Sequence, residues 1–153
     1  MNPPWPLRGV YAITPDENDT TQLLARVQTV LQAGAAWLQY RNKTADGPLR
    51  EHQAKRLQPL CRAWRVPLII NDDWRLAAAI GADGAHLGED DGELVAARAA
   101  LPAGTILGAS CYADLTLARQ AAAAGAGYGA FGAFYPSLTK PHARRATADL
   151  LGD

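Results

Sequence analysis

The chain is poor in the features that would tie it to an oxidising compartment, a membrane or a polyanion. Only two cysteines occur, Cys61 and Cys111. They form neither a disulfide framework nor a metal-ligand spacing and fit a reducing compartment. Neither sign of charge is in excess, since 15 Lys and Arg balance 15 Asp and Glu. Composition therefore carries no signature of a nucleic-acid or anionic-membrane partner. No window approaches the roughly 20 apolar residues of a membrane span. The first residues, with Pro3, Pro4 and Pro6 around Trp5, lack the charged start and apolar core of a signal peptide. A soluble, cytoplasmic protein is expected. What remains is 48% hydrophobic and 20% charged over 153 residues, which suits one soluble domain over residues 1–153 with a core of its own.

Residues 67–91 organise the pattern. The apolar run Leu68, Ile69, Ile70 follows Pro67 and reads as a strand. A helix is expected over 75–80, with Gly81 as its stop, and a second strand over 84–88. A helical crossover implies that the two strands run parallel. Each runs into carboxylates, Asp72 and Asp73 after the first, Asp90 and Asp91 after the second. Two acidic clusters converging at neighbouring strand ends suit a hard divalent cation such as Mg²⁺. The simpler alternative is that Asp72 and Asp73 only cap the following helix.

The same alternation runs along the rest of the chain. Strands are expected over 9–14, 37–41, 105–111 and 128–134. A helix beginning at Thr20 or Thr21 carries an apolar face of Leu23, Leu24, Val27, Val30 and Leu31 and closes at Gly34. Further helices are expected over 49–64, 92–101 and 115–124. Six strand–helix units of about 20 to 25 residues imply an α/β fold with a parallel sheet. Polar side chains end successive strands: Gln39, Arg41 and Lys43, then Asn71 and Asp72, then Asp90 and Asp91, then Ser110, then Ser137, Thr139 and Lys140. An open sheet gathers such groups at one switch point. A ring of them is what the top of a barrel looks like, so a TIM-type (β/α)8 barrel is favoured, with about six β/α units present.

Three motifs carry the chemistry. Along a strand Gln39, Arg41 and Lys43 share one face, so all three can point into the barrel mouth. The fork of an Arg with the point charge of a Lys suits a diphosphate, against the alternative of a solvated loop with ordinary ion pairs. The string from Gly127 to Gly132 spells a dinucleotide fingerprint, yet it lies inside a strand and opens no helix, so small residues in a crowded interior explain it better. Ser137, Leu138, Thr139 and Lys140 spell S-x-x-K without the partner motifs of the acylases. They read instead as a phosphate-binding turn. His86 reads as a packed histidine, and Cys111 lacks a basic partner for nucleophilic work.

Taken in order, Gln39-Tyr40-Arg41-Asn42-Lys43, Asn71-Asp72-Asp73, His86-Leu87-Gly88 with its acids, Gly108-Ala109-Ser110, and Tyr135 to Lys140 closely resemble the thiamine-phosphate synthase family over nearly the whole chain. The resemblance implies a TIM barrel that joins an aminomethylpyrimidine methyl diphosphate to hydroxyethylthiazole phosphate and releases diphosphate. It implies that Asp72 and Asp91 ligate Mg²⁺. Gln39, Tyr40, Arg41, Asn42, Lys43, Asn71, Ser110 and Lys140 would hold the pyrimidine diphosphate, with Arg41, Lys43, Ser110 and Lys140 in the catalytic set. Ser137, Leu138 and Thr139 would line the thiazole phosphate site. Such a reaction is an ionisation at carbon, in which the protein neutralises the leaving group and positions the reactants.

Two departures accompany the resemblance. Glu89 stands where the family has Gln. The family also has a seventh strand with a Gly-rich phosphate loop and an eighth, whereas this sequence covers six. A six-strand sheet with two open edges is expected to be poorly stable or to self-associate. A thiazole tautomerase of the sister family and an inactive ligand-binding remnant are the alternatives. The cationic set and both acidic motifs favour the synthase, because a tautomerase expels no diphosphate.

Overall fold

In a computed structural model of the chain, residues 5–88, 91–136, 138, 141–142 and 144–152 are described. Strands and helices alternate as β1 (Tyr11–Ile13), α1 (Thr20–Gln32), β2 (Trp37–Tyr40), α2 (Gly47–Trp64), β3 (Leu68–Asn71), α3 (Trp74–Ile80), β4 (Gly84–Leu87), α4 (Asp91–Ala100), β5 (Ile106–Tyr112), α5 (Leu115–Ala123) and β6 (Tyr128–Phe131). All the expected elements are present, and a 3-10 turn at Ala148–Leu151 follows them. The chain divides into two compact units, residues 1–85 and 86–153, and each is taken by itself.

In the first unit β1 pairs parallel with β2, Tyr11 opposite Trp37 and Ile13 opposite Gln39. β2 pairs parallel with β3, Leu38 opposite Leu68 and Tyr40 opposite Ile70. Leu38, Leu68, Ile69 and Ile70 are buried without alternation, as strands covered on both faces must be. Helix α1 packs Leu23, Val27 and Leu31 into the core, and α2 packs Ala54, Leu57 and Cys61. Leu24, Val30 and Leu60 are only half-buried, so the apolar stripes are narrower than their sequence pattern. Removing a side chain such as Leu57, which is fully buried, costs about 2 to 5 kcal/mol.

The helix starts share one chemistry. Asp19 Oδ1 accepts from Gln22 N at 3.1 Å, Asp46 Oδ1 from Leu49 N at 2.9 Å and Asp73 Oδ1 from Leu76 N at 2.8 Å. The α1 cap is therefore Asp19 and not Thr20 or Thr21. A carboxylate accepts more strongly than a hydroxyl and also meets the positive end of the helix dipole. Gly81, at φ +65°, closes α3 as expected.

In the second unit β5 pairs parallel with β6, Gly108 opposite Tyr128 and Ser110 opposite Ala130, with a register shift between Ser110 and Tyr112. A Cβ on Gly108 would lie 2.0 Å from the Tyr128 ring, so the approach of that ring demands glycine. Asp114 caps α5 through Thr116 N at 2.7 Å. Arg98 Nη1 donates to Thr105 O at 2.8 Å, binding the end of α4 to the start of β5. No helix among the described residues is long and apolar enough to cross a membrane.

Two buried protonated groups set an alkaline limit on the first unit. Burial pushes the Cys61 thiol from 9.0 up to about 12, with the nearby Asp83 carboxylate adding to the rise. Burial likewise pushes the Tyr40 phenol from 10.0 up to about 12, against the pull of the Arg50 guanidinium. Between those values the folded chain holds protons that the unfolded chain has released, so stability falls as pH rises. Urea titrations are expected to give a free energy of unfolding that starts to decline near pH 9 and keeps declining to about pH 12. Cys61→Ala and Tyr40→Phe should each remove part of the slope.

Candidate active site

The loop after β2 carries the cations, and its shape comes from side-chain amides. Strand β2 ends at Tyr40, so the alternation that would put Gln39, Arg41 and Lys43 on one face stops before Arg41. Gln39 is buried and its Nε2 donates to Tyr11 Oη at 3.0 Å. Arg41 is tied to the end of β1. Its N donates to Thr14 Oγ1 at 2.9 Å, the same hydroxyl donates to Arg41 O at 2.8 Å, and Arg41 Nη1 pairs with Asp16 Oδ1 at 3.2 Å. Asp16 Oδ1 also accepts from Lys43 N at 2.8 Å. Thr14 and Asp16 were not legible as site residues. Pro15 and Asp16 read only as the stop of a strand.

Asn42 and Gln53 form the buried centre of this loop. Asn42 Nδ2 donates to Glu17 O at 3.0 Å, to Asn18 Oδ1 at 3.1 Å and to Gln53 Oε1 at 3.1 Å. Its Oδ1 accepts from Thr44 N and Ala45 N, both at 3.1 Å. Gln53 Nε2 donates to Glu17 O at 2.8 Å, and Tyr40 Oη donates to Gln53 Oε1 at 2.7 Å. Tyr40 and Asn42, expected at the substrate, thus have their polar atoms committed to the protein.

Lys43, Asn71, Asp72 and Asp73 meet at a small cleft, which Tyr40, Arg50 and Leu76 also line. The two aspartates divide the roles that the sequence left open. Asp73 caps α3, which leaves the Asp72 carboxylate free for the cleft. Asp72 stands at φ +62°, a conformation that Asp tolerates better than most residues. Its carboxylate pairs with the Lys43 ammonium, both side chains about half exposed. As a hard oxygen donor with solvent access, Asp72 fits Mg²⁺. That ion typically takes one or two protein carboxylates, water and substrate phosphates. The described residues contain no group of three or more His, Cys, Asp or Glu able to hold a metal.

In the second unit, Ser110 Oγ lies 2.9 Å from His86 Nε2, and His86 Nδ1 lies 2.9 Å from Tyr128 Oη. One ring nitrogen donates and the other accepts in either neutral tautomer, so the ring anchors the Ser110 oxygen whichever of the two donates. The imidazole is buried and stacks on Tyr128 at 5.6 Å between centroids. Cys111 is buried as well. Leu138 is fully exposed. Ser137, Thr139 and Lys140 lie outside the described residues, as does the side chain of Asp91 at the start of α4.

The amide centre makes Asn42 a residue of folding more than of affinity. Asn42→Ala strands Thr44 N, Ala45 N and part of Gln53, and is expected to lower the free energy of unfolding by about 2 to 4 kcal/mol. Urea titration with an unchanged slope is the check.

A family model described as thiamine monophosphate synthase matches residues 10–153. A thiamine-phosphate synthase of Methylobacillus flagellatus is 59% identical over 141 residues, covering 92% of this chain and 68% of the relative. One from Xanthomonas campestris pv. campestris is 60% identical over 144 residues, covering 94% and 69%. Among solved structures, a thiamine phosphate pyrophosphorylase from Pyrococcus furiosus superposes with a TM-score of 0.80 at 29% identity, over 94% of this chain and 67% of that one. That likeness bears out the TIM-type α/β class read from the strand–helix alternation. With a match across residues 10–153 and relatives about 60% identical, the chain belongs to the thiamine monophosphate synthase family.

Proposed function

We propose that the chain is a thiamine-phosphate synthase, a transferase that joins an aminopyrimidine methyl diphosphate to a thiazole phosphate and releases diphosphate. The observation that carries the reading is the cleft where Lys43, Asn71 and Asp72 meet, beside the Arg41 loop that Asp16 holds. A lysine ammonium, the exposed carboxylate it pairs with and a neutral amide form a set suited to an anionic group shared with a divalent ion.

The bond that breaks joins the pyrimidine methylene carbon to the diphosphate oxygen, and its electron pair leaves with the diphosphate. Arg41, Lys43 and Lys140 take up the growing negative charge. The methylene cation, stabilised by its ring amino group, then accepts the lone pair of the thiazole nitrogen. Mg²⁺ held by Asp72 and Asp91 would neutralise part of the diphosphate charge. Gln39, Tyr40, Asn42, Asn71 and Ser110 would shape the pyrimidine side, Tyr40 and Asn42 by holding the loop from beneath. Ser110, held in place by His86, would offer its hydroxyl. Ser137, Leu138 and Thr139 would receive the thiazole phosphate. No protein nucleophile is needed, and the burial of Cys111 is consistent with that.

Two substitutions test the proposal. Asp72→Asn keeps the cap on Asp73 and should lower Mg²⁺-dependent turnover on the order of 100-fold while the melting temperature barely moves. Full activity in limiting Mg²⁺ would remove Asp72 from the metal. Arg41→Lys keeps the charge but loses the fork, and should raise KM for the pyrimidine diphosphate about tenfold. Arg62, exposed near the end of α2, should be replaceable by Gln without effect, and equal losses at both positions would argue for general electrostatics.

A further inference from the structure

Arg50 has no part in the chemistry described so far, yet its surroundings single it out. It lies in the first turn of α2, after the Asp46 cap, and its N donates to Asp46 O at 3.0 Å. Helical side chains lean toward the helix N-terminus, so Arg50 leans back over the loop that bears Lys43. It lines the cleft with Lys43, Asn71 and Asp72. Its guanidinium is close enough to Tyr40 to draw the phenol pKa downward.

Arg50 Nε is buried and, among the described residues, has no hydrogen-bond partner. Leaving a donor of a charged group unpaired in the interior is costly. Such a donor is explained when a ligand supplies the missing acceptor. Arg presents a planar fork that fits two oxygens of one phosphoryl group, whereas Lys43 offers a single point charge.

We infer that Arg50 is a specificity-determining anchor of this cleft, gripping a phosphoryl group of the diphosphate beside Lys43, so that the cleft selects a diphosphate over a monophosphate. The inference rests on the reading of the cleft as a diphosphate site and adds a residue that the sequence motifs did not include. Two phosphoryl groups need two separate grips. Lys43 and Asn71 come from the strand ends, and Arg50 reaches in from the helix.

The test is calorimetric titration of the full chain with inorganic diphosphate and, separately, inorganic phosphate, in Mg²⁺ and in chelator. Wild type, Arg50→Lys, Arg50→Gln, Lys43→Gln and the exposed control Arg56→Gln are compared after circular dichroism has verified folding. Arg50→Lys is expected to weaken diphosphate binding about tenfold and Arg50→Gln further, the loss of one charge-assisted hydrogen bond or more. Phosphate affinity and the Arg56→Gln control should not change. In turnover assays Arg50→Lys should raise KM for the pyrimidine diphosphate more than it lowers kcat. If wild type and both Arg50 variants bind diphosphate alike while Lys43→Gln loses it, Arg50 is no anchor and the site reading stands. If wild type does not bind diphosphate, the site reading falls and Arg50 with it. If neither Arg50 variant folds, its role is structural and the inference is overturned.

Discussion

A loop that must display cations cannot be held by packing its own side chains, because those side chains belong in the cleft. In this chain two amides hold the β2–α2 loop from beneath. Asn42 spans the loop, accepting from Thr44 N and Ala45 N and donating to the residues that follow β1. Gln53, fully buried in α2, receives both Asn42 Nδ2 and Tyr40 Oη. Every group in the cluster that loses a partner would be left desolvated, at about 1 to 3 kcal/mol each. The loop therefore has one shape, and Arg41 and Lys43 are set at the end of β2 before any anion arrives. Asp16 adds the electrostatic half of the same constraint, holding the Arg41 guanidinium and the Lys43 backbone with one oxygen.

The β3 end shows how neighbouring identical residues separate into different roles. Asp73 satisfies the first free N–H groups of α3 and is occupied by that work. Asp72, one residue earlier and at positive φ, meets Lys43 instead. A helix N-terminus has room for one capping side chain, so the second carboxylate becomes available for binding. A cleft with a carboxylate and cations side by side is poised for an anion that brings its own metal.

In the second unit the same economy appears with an imidazole. His86 is buried, with Ser110 on one nitrogen and Tyr128 on the other. The Tyr128 ring reaches it by passing over Gly108, where any side chain would collide. A packed histidine and an anchored serine are thus one structural fact.

Much was legible in the sequence. The switch between strand and helix periods located every element, because burial on both strand faces and on one helix stripe leaves its mark in residue order. Polar residues at successive strand ends marked Arg41, Lys43, Asn71, Asp72 and Ser110 as candidates, since such positions share one end of a parallel sheet. What the residue order did not contain was which polar group bonds to which. Asn42 and Lys43 are adjacent letters, but one is buried and the other half exposed. Asp16 is 25 residues from Arg41, and Gln53 is 11 from Asn42. Arg50 looked like any solvated helical cation until the fold set it against the cleft with its Nε buried and, among the described residues, without a hydrogen-bond partner. Periodicity is a local property and survives in one dimension. Hydrogen-bond partnership depends on distances of about 3 Å across separate elements, and only tertiary structure sets those.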